Sequence, residues 1–374
     1  MINAVNIISD KNIGGAGKCI LTFLKYYSKD KINLTIILPK GSLLIPKIKE
    51  LGGTYIEIDG LADKSLDFGC IDKLRRIFKK LKPDIIHTHA AMSAKIAGKL
   101  YGKARIIYTR HSVFEPSPVI SKGVGKLING FVNNFLSDRI IAVAEAAKKN
   151  LTDTGIDSKK ITVIKNGVEP IERLTEKEIT ERRNMYGVSD DVFLMGIAAR
   201  LTEVKGHILI LEALKKLKDD SFNTKLIIAG TGEFEVNIRK KIKELHLEDD
   251  VIMAGFVDDI AGFMNIIDLN LNASFGTEAT SLSLLEGMSI GLPCVVSDFG
   301  GNPGVVYDGE NGFLFESKNS HMMYEKIKAI ISDSALLSNM KSNAERIFEN
   351  EFKAEIMTEK IENVYFDTLE VSKK

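Results

Sequence analysis

Apolar positions along this chain follow two periods and switch between them repeatedly. Short, nearly continuous apolar runs fall at 4–9, 34–38, 55–58, 84–87, 106–109, 139–143 and 161–163. Runs of this length, rich in Ile and Val, suit strands covered on both faces. Between the first five of them, apolar residues recur at three- and four-residue intervals over 18–28, 43–51, 71–81 and 93–101. That is the spacing of a helix with one buried stripe. Strands alternating with helical spacers predict βαβ units and a parallel sheet, which takes its ligands at the carboxyl ends of its strands.

The alternation stops at 168–188, a polar, charge-dense stretch with Pro170 and no strand pattern, which reads as a linker. It then restarts, with strands predicted at 193–198, 225–229, 251–254, 269–272 and 294–297 and helices at 208–217, 236–245, 260–266 and 282–290. Three helical stretches, 322–331, 335–348 and 354–369, complete the pattern. The predicted fold class is α/β, with two Rossmann-like, doubly wound parallel-sheet domains, 1–168 and 169–351, facing a cleft. Solenoid repeats and low-complexity tracts do not occur.

A chain of 374 residues is long enough for two such domains. The opening residues MINAVNIISDK lack the basic start and continuous apolar core of a signal peptide, and no apolar run reaches the roughly 18 residues of a membrane span. Cys19, Cys70 and Cys294 are far apart and odd in number, so reduced thiols, no zinc site and a cytoplasmic location are expected. The net charge of +1 conceals an asymmetry: residues 1–168 hold 28 Lys and Arg against 14 Asp and Glu, and residues 169–374 hold 23 against 36. A basic half of this size is drawn to anionic surfaces, including the lipid headgroups at the inner face of a membrane. Segment 113–136 mixes Phe, Val, Ile and Leu with Lys122 and Lys126, a composition that suits such a surface. Nucleic acid is not expected as a partner.

The most informative stretch is 277–301, TEATSLSLLEGMSIGLPCVVSDFGG. A small-residue turn leads into a helix, a Gly-Leu-Pro stop, a short strand and a Gly-Gly loop. Glu278 lies at the mouth of the helix and Glu286 two turns into it. Backbone N–H groups around Thr280, Ser281 and Leu282 are placed to meet an anion, because a helix start carries unpaired donors. Upstream, GIAARLTEVKGH (196–207) delivers Arg200 at a strand end and Lys205 five residues later, a fork and a point charge that suit a diphosphate. Gly230 and Gly232 turn the chain in LIIAGTGE, and Phe256 follows the strand of MAGFVDDI beside backbone suited to a nucleotide base. In the first half, Gly14, Gly15 and Gly17 form a strand–helix turn where backbone can approach a phosphate. It is neither G-x-G-x-x-G, since position 20 is Ile, nor a P-loop, and the second strand ends Leu38-Pro39-Lys40 without a ribose-binding acid. A nicotinamide dehydrogenase is therefore disfavoured. His111 and, less so, His89 lie at strand ends suited to a site. His87 and His89 are read as a poor metal pair, on the expectation that they face opposite sides of their strand. There is no D-x-D.

Arg200–Lys205 followed by Glu278–Glu286 resembles the R-x4-K and E-x7-E segments of family-4 retaining glycosyltransferases of GT-B fold, the bacterial glycosyl transferase group 1 type. The resemblance is specific over 196–301. It extends to Asn166-Gly167-Val168 and to AVAEAAKKNL (142–151), with Ala144 where the family usually has Ser, and Gly304 stands where relatives commonly have Glu. It implies a metal-independent enzyme with no cofactor beyond its substrate, a nucleotide sugar donor with UDP favoured. Arg200 and Lys205 would hold the donor diphosphate, Glu278 the donor sugar and Glu286 the ribose. Gly14 and Gly15 would lie over the donor phosphates, Gly230, Gly232 and Phe256 would line the base pocket, and His111 would sit near donor sugar and acceptor. The acceptor would be a glycan or lipid-linked precursor in cell-surface polysaccharide synthesis. The resemblance also implies that helix 352–374 rejoins the first domain. Two rivals share the fold: a UDP-sugar 2-epimerase, and a non-catalytic glycosyltransferase-like subunit.

Overall fold

The computed structural model describes residues 1–61, 66–89, 91–113 and 116–370. Phe114 and Glu115 of the apolar-basic segment, and 371–374 of the expected C-terminal return, lie outside the described residues. Contacts divide the described residues into two units, Met1–Gly167 with Ala354–Glu370, and Val168–Lys353.

The first unit runs β1 (Ile2–Ile8), α1 (Gly15–Tyr26), β2 (Ile32–Pro39), α2 (Ile45–Glu50), β3 (Thr54–Ile58), α3 (Phe68–Leu81), β4 (Ile85–His89), α4 (Met92–Tyr101), β5 (Arg105–Arg110), α5 (Pro118–Ser121), α6 (Gly123–Leu136), β6 (Arg139–Ala142), α7 (Glu145–Asp153) and β7 (Ile161–Val163). The second runs α8 (Glu176–Met185), β8 (Phe193–Ala198), α9 (His207–Asp219), β9 (Thr224–Ala229), α10 (Glu235–Glu244), β10 (Val251–Gly255), α11 (Ile260–Ile266), β11 (Leu269–Asn272), α12 (Leu282–Met288), β12 (Cys294–Ser297), β13 (Gly312–Phe315), α13 (Ser320–Ser332) and α14 (Ser334–Glu351). The last helix, α15 (Ala354–Glu370), belongs to the first unit, where Met357, Ile361 and Tyr365 pack with Cys19, Ile20 and Leu24 of α1.

Each unit is one parallel sheet, ordered β3-β2-β1-β4-β5-β6-β7 and β10-β9-β8-β11-β12-β13. The apolar runs explain this: the central strands are buried on both faces, as helices on either side require. The order also sets where ligands go. The chain reverses direction across the sheet between β1 and β4, which pair at Ile8 and His89, and between β8 and β11, which pair at Gly196 and Asn270. A doubly wound sheet opens its ligand crevice at such a switch point. Every candidate site residue singled out above ends or follows one of β1, β4, β5, β8, β9, β10 and β11.

The stretch 168–188 is not simply a linker, because α8 lies within it. Its start carries a Thr175–Glu178 capping box, and its Arg183 is buried, donating to the carbonyls of Ile266 and Val192 and to Asp268 Oδ2 at 2.6 Å. A helix anchored by a buried guanidinium shows no apolar stripe, so periodicity overlooks it. Strand β13, only four residues long and bounded by Gly312, was likewise absent from the predicted pattern. Helix α12 ends at Met288, two residues before its predicted end.

Candidate active site

In the second unit the loops at the carboxyl ends of β8, β9, β10 and β11 lock onto one another. Ala199 N–H donates to Ala229, Leu201 N–H to Thr231, and Gly230 N–H to Gly255 at 2.6 Å. At Gly230 a Cβ would fall 1.9 Å from the Ala199 carbonyl oxygen, so only glycine allows the β9 turn to lie this close to the β8 loop. Gly232 sits against Leu201 in the same way. This stack carries Arg200, exposed and without an ion pair among the described residues, and Lys205, largely buried.

Lys205 Nζ lies 2.8 Å from Glu278 Oε2, with 16% and 8% of the two side chains exposed. The same oxygen accepts from Asn272 Nδ2 at 3.0 Å and from Ser274 Oγ at 3.1 Å. Oε1 of Glu278 accepts no hydrogen bond among the described residues. Behind the pair, Ser297 Oγ donates to the Ser274 carbonyl and Asn302 Nδ2 donates to Ser297 Oγ, so the carboxylate rests on a buried polar scaffold from β11 and β12. Its backbone is held as tightly: Gly301 N–H donates to the Glu278 carbonyl, and a Cβ on Gly300, at φ +64°, would meet that carbonyl oxygen at 2.1 Å. The Gly-Gly pair is thus a clamp on Glu278. Glu286 is buried within α12, whose start at Thr280, Ser281 and Leu282 is half-buried, and Phe256 stands 72% exposed just past β10.

In the first unit, His87, His89 and His111 form one cluster. Residues two apart on a strand share a face, so the expectation of opposite faces for His87 and His89 is corrected: their rings lie 4.3 Å apart. His89 Nδ1 and His111 Nε2 are 2.7 Å apart, and their rings stack. His87 bridges Thr109 Oγ1 at 2.6 Å and Tyr365 Oη at 2.7 Å, and Tyr365 donates on to Asn6 Oδ1. Burial pushes His87 down to about 3 and His111 to about 4, and holds His89 well below its ordinary value. The cluster is therefore neutral at neutral pH, with one ring donating to the next. Among the described residues, His89 Nε2 and His111 Nδ1 are buried with no hydrogen-bond partner, unlike most buried polar atoms. Gly14 and Gly15 begin α1 with open space around them: a Cβ on Gly15 would meet nothing within 4 Å, and one on Gly14 only Asp10 Oδ2 at 3.8 Å. Neither packing nor positive φ requires glycine there.

The structure thus joins Lys205 to Glu278, sets Arg200 and the Gly230–Gly232 turn on the same end of the same sheet, and ties His111 to His89. Sequence reasoning missed Asn272, Ser274 and Tyr365. The two asparagines of LNLN, polar residues in a strand buried throughout, were the available signal for Asn272. Tyr365 had none, being 278 residues from His87. Ala144 begins α7 without a side-chain cap, which a Ser would supply. Among the described residues no group of three or more His, Cys, Asp or Glu could hold a metal ion.

Comparison with known proteins gives two family matches. Glycosyltransferase Family 4 matches residues 13–171, and Glycosyl transferases group 1 matches 178–347. The chain is 25% identical over 311 residues to N-acetyl-alpha-D-glucosaminyl L-malate synthase of Bacillus anthracis, covering 81% of this chain and 80% of that one. It is 26% identical over 313 residues to the UDP-Gal:alpha-D-GlcNAc-diphosphoundecaprenol alpha-1,3-galactosyltransferase of Escherichia coli, covering 80% of each. Its fold matches the crystal structure of Anabaena HepE in complex with UDP and glucose at a TM-score of 0.85 and 21% identity, over 98% of this chain and 100% of that one.

Proposed function

The chain belongs to family 4 of the glycosyltransferases, of GT-B fold, and on that premise we propose that it moves a hexose-type sugar from a nucleotide diphosphate sugar, with retention of configuration, to a glycan or lipid-linked acceptor. The observation that carries the site is the buried Lys205–Glu278 pair at the β8–β11 switch point. UDP is favoured as the nucleotide because HepE holds it, and a polysaccharide or glycolipid product is favoured by the relatives' names. In this reading the bond from the anomeric carbon to the diphosphate oxygen breaks, and one to the acceptor oxygen forms on the same face. The acceptor proton passes to the leaving phosphate. Arg200 and Lys205 offset the charge on that phosphate, with the amides at Thr280–Leu282 beside it. Glu278 Oε1 accepts from a sugar hydroxyl, Glu286 holds the ribose, and His111 meets the acceptor. Gly14 and Gly15 lie over the phosphates, and Gly230, Gly232 and Phe256 line the base. No metal ion is required.

Thermal-shift titration against UDP, GDP, ADP and their sugars tests the donor half. A ligand at 100 times its Kd adds about 2.7 kcal/mol to the folded state. One nucleotide should raise the midpoint, equally with EDTA present, and Arg200→Ala should abolish the shift while leaving the unliganded midpoint unchanged. Silence toward every nucleotide would favour a non-catalytic subunit.

The acceptor is reached, in the same proposal, at an anionic membrane surface through the basic first unit, leaving the protein cytoplasmic and peripheral. Among the described residues no helix is long and apolar enough to cross a membrane. Helices α5 and α6 expose Val119, Val124, Leu127, Ile128, Phe131 and Phe135 instead. The protein should float with anionic liposomes at low salt and be released by high salt. Failure to float at low salt would remove the membrane from the proposal and leave the transferase intact.

A further inference from the structure

Helix α6 is built inside out. Its apolar residues face solvent, with Leu127 71% and Phe131 73% exposed, and Gly130 and Leu136 are its buried residues. The side turned toward the rest of the unit carries Asn129 and Asn133, one turn apart. The helix is seated by glycine against glycine: a Cβ on Gly130 would strike the Gly155 carbonyl oxygen at 2.2 Å. Ordinary helices bury their apolar stripe. This one turns amide groups inward onto a cavity of about 230 Å³ between α4, β5, α5, α6 and α7.

Lys95, Tyr108, Arg110, Asn129, Asn133 and Asn150 give the cavity its polar wall, with Met92, Ile120 and Ile156 completing it. Lys95 is 3% exposed. Its ammonium donates to Asn133 Oδ1 at 2.9 Å and lies 4.5 Å from the Tyr108 ring centroid, and among the described residues no carboxylate pairs with it. Burial, and then Arg110, lower it to about 8. A buried ammonium costs several kcal/mol unless a counter-charge meets it. The amide of Asn150 makes no hydrogen bond among the described residues, whereas Asn129 and Asn133 are ordered by bonds to the Thr154 carbonyl and to each other.

We propose that this cavity is a phosphate-ester site, separate from the donor site of the second unit. The buried Lys95 ammonium and the Asn150 amide line, together with Arg110, a space far larger than one water needs, yet smaller than the roughly 300–1,000 Å³ of drug-sized ligand sites. It accommodates a headgroup and excludes a nucleotide sugar. The phosphate group comes either from a small soluble ester or from an anionic lipid, whose acyl chains would meet the exposed apolar residues of α5 and α6, the helices that wall the cavity. The inference does not rest on which sugar, if any, the protein transfers.

Methyl NMR with labelled Met and Ile, assigned at Met92 and Ile120, tests it on the full chain. Inorganic phosphate, glycerol 1-phosphate and dihexanoyl phosphatidylglycerol are titrated at constant ionic strength, with chloride as control. Saturable shifts at both methyls are expected with the phosphate probes and not with chloride. Lys95→Met should weaken binding at least tenfold while keeping the UDP-induced thermal shift. Asn150→Leu, which removes the amide at nearly the same shape without touching the Lys95–Asn133 bond, should do the same if Lys95→Met does not fold. Binding of the short-chain lipid at least tenfold tighter than glycerol 1-phosphate assigns the lipid source; equal binding assigns a soluble ester. No saturable shift with any probe, or shifts unchanged in both variants, would overturn the site.

Discussion

Lys205→Met is expected to lower sugar transfer at least 100-fold and to destabilise the second unit by about 3 kcal/mol, two effects with separate causes. The stability loss follows from burial. Lys205 and Glu278 meet at 2.8 Å with little of either side chain exposed. Removing one member of such a pair strands the other charge, at a typical cost of about 3–5 kcal/mol. Asn272 and Ser274 still donate to Glu278 Oε2, which sets the expectation at the lower end. In a unit of this size that is roughly 6–12 °C in midpoint. The activity loss follows from the leaving group: a preorganised donor or cation at developing negative charge is worth about 10²–10³ in rate. The double variant Lys205→Met, Glu278→Gln separates the two, because it removes both charges and should recover most of the stability but none of the activity. Arg200→Ala is the complement, its exposed side chain carrying function with no stability term. A Lys205→Met protein as stable as the parent would sink the buried-pair argument. One transferring within threefold of the parent would remove Lys205 from the leaving group.

What the chain's pattern reveals depends on whether an interaction is local. Strands such as Phe193–Ala198 are written as unbroken apolar runs because both faces are covered, and their positions fixed the parallel-sheet class. Arg200, Lys205, Glu278 and Glu286 are proposed as site residues from short, fixed spacings on either side of strands. The Lys205–Glu278 bond was not, since it joins loops 73 residues apart. Helix α8 was hidden for the opposite reason to most errors: its anchor is Arg183, a residue that periodicity counts as polar. Segment 113–136 read correctly as apolar and basic, but its orientation, with Asn129 and Asn133 inward and Phe131 outward, is set by the Gly130–Gly155 contact and appears only in three dimensions. His87 shows a further limit. Its role as a buried bridge between Thr109 and Tyr365 depends on a helix that returns from the far end of the sequence.

Acid is expected to melt the first unit well above the range in which ordinary carboxylates titrate. His87 is held at about 3, His111 at about 4 and His89 well below 6.5, all chiefly by burial. A histidine whose folded pKa lies below its unfolded value of roughly 6.5 takes up its proton only in the unfolded chain as pH falls. The sign is therefore fixed: stability is unaffected above about pH 6.5 and is lost as pH drops through the window between the unfolded and folded values. His87 and His111 each remove about 2 kcal/mol by pH 5, about 4 kcal/mol together, and His89 adds to the loss in the same direction, a large fraction of the stability of many domains. His207, held at about 4 by burial and then by Lys205, imposes only one such loss on the second unit. Midpoints measured from pH 7.5 to 5.0 should fall in two transitions, the steeper belonging to the first unit. His87→Gln should make that slope shallower, whatever it does to the midpoint at pH 7.5, because one proton fewer is linked to unfolding. Midpoints flat down to pH 5.5 would mean that the cluster is open to water or paired with charge, and would take away the neutral, orphaned His89–His111 pair on which the acceptor side of the site has been built.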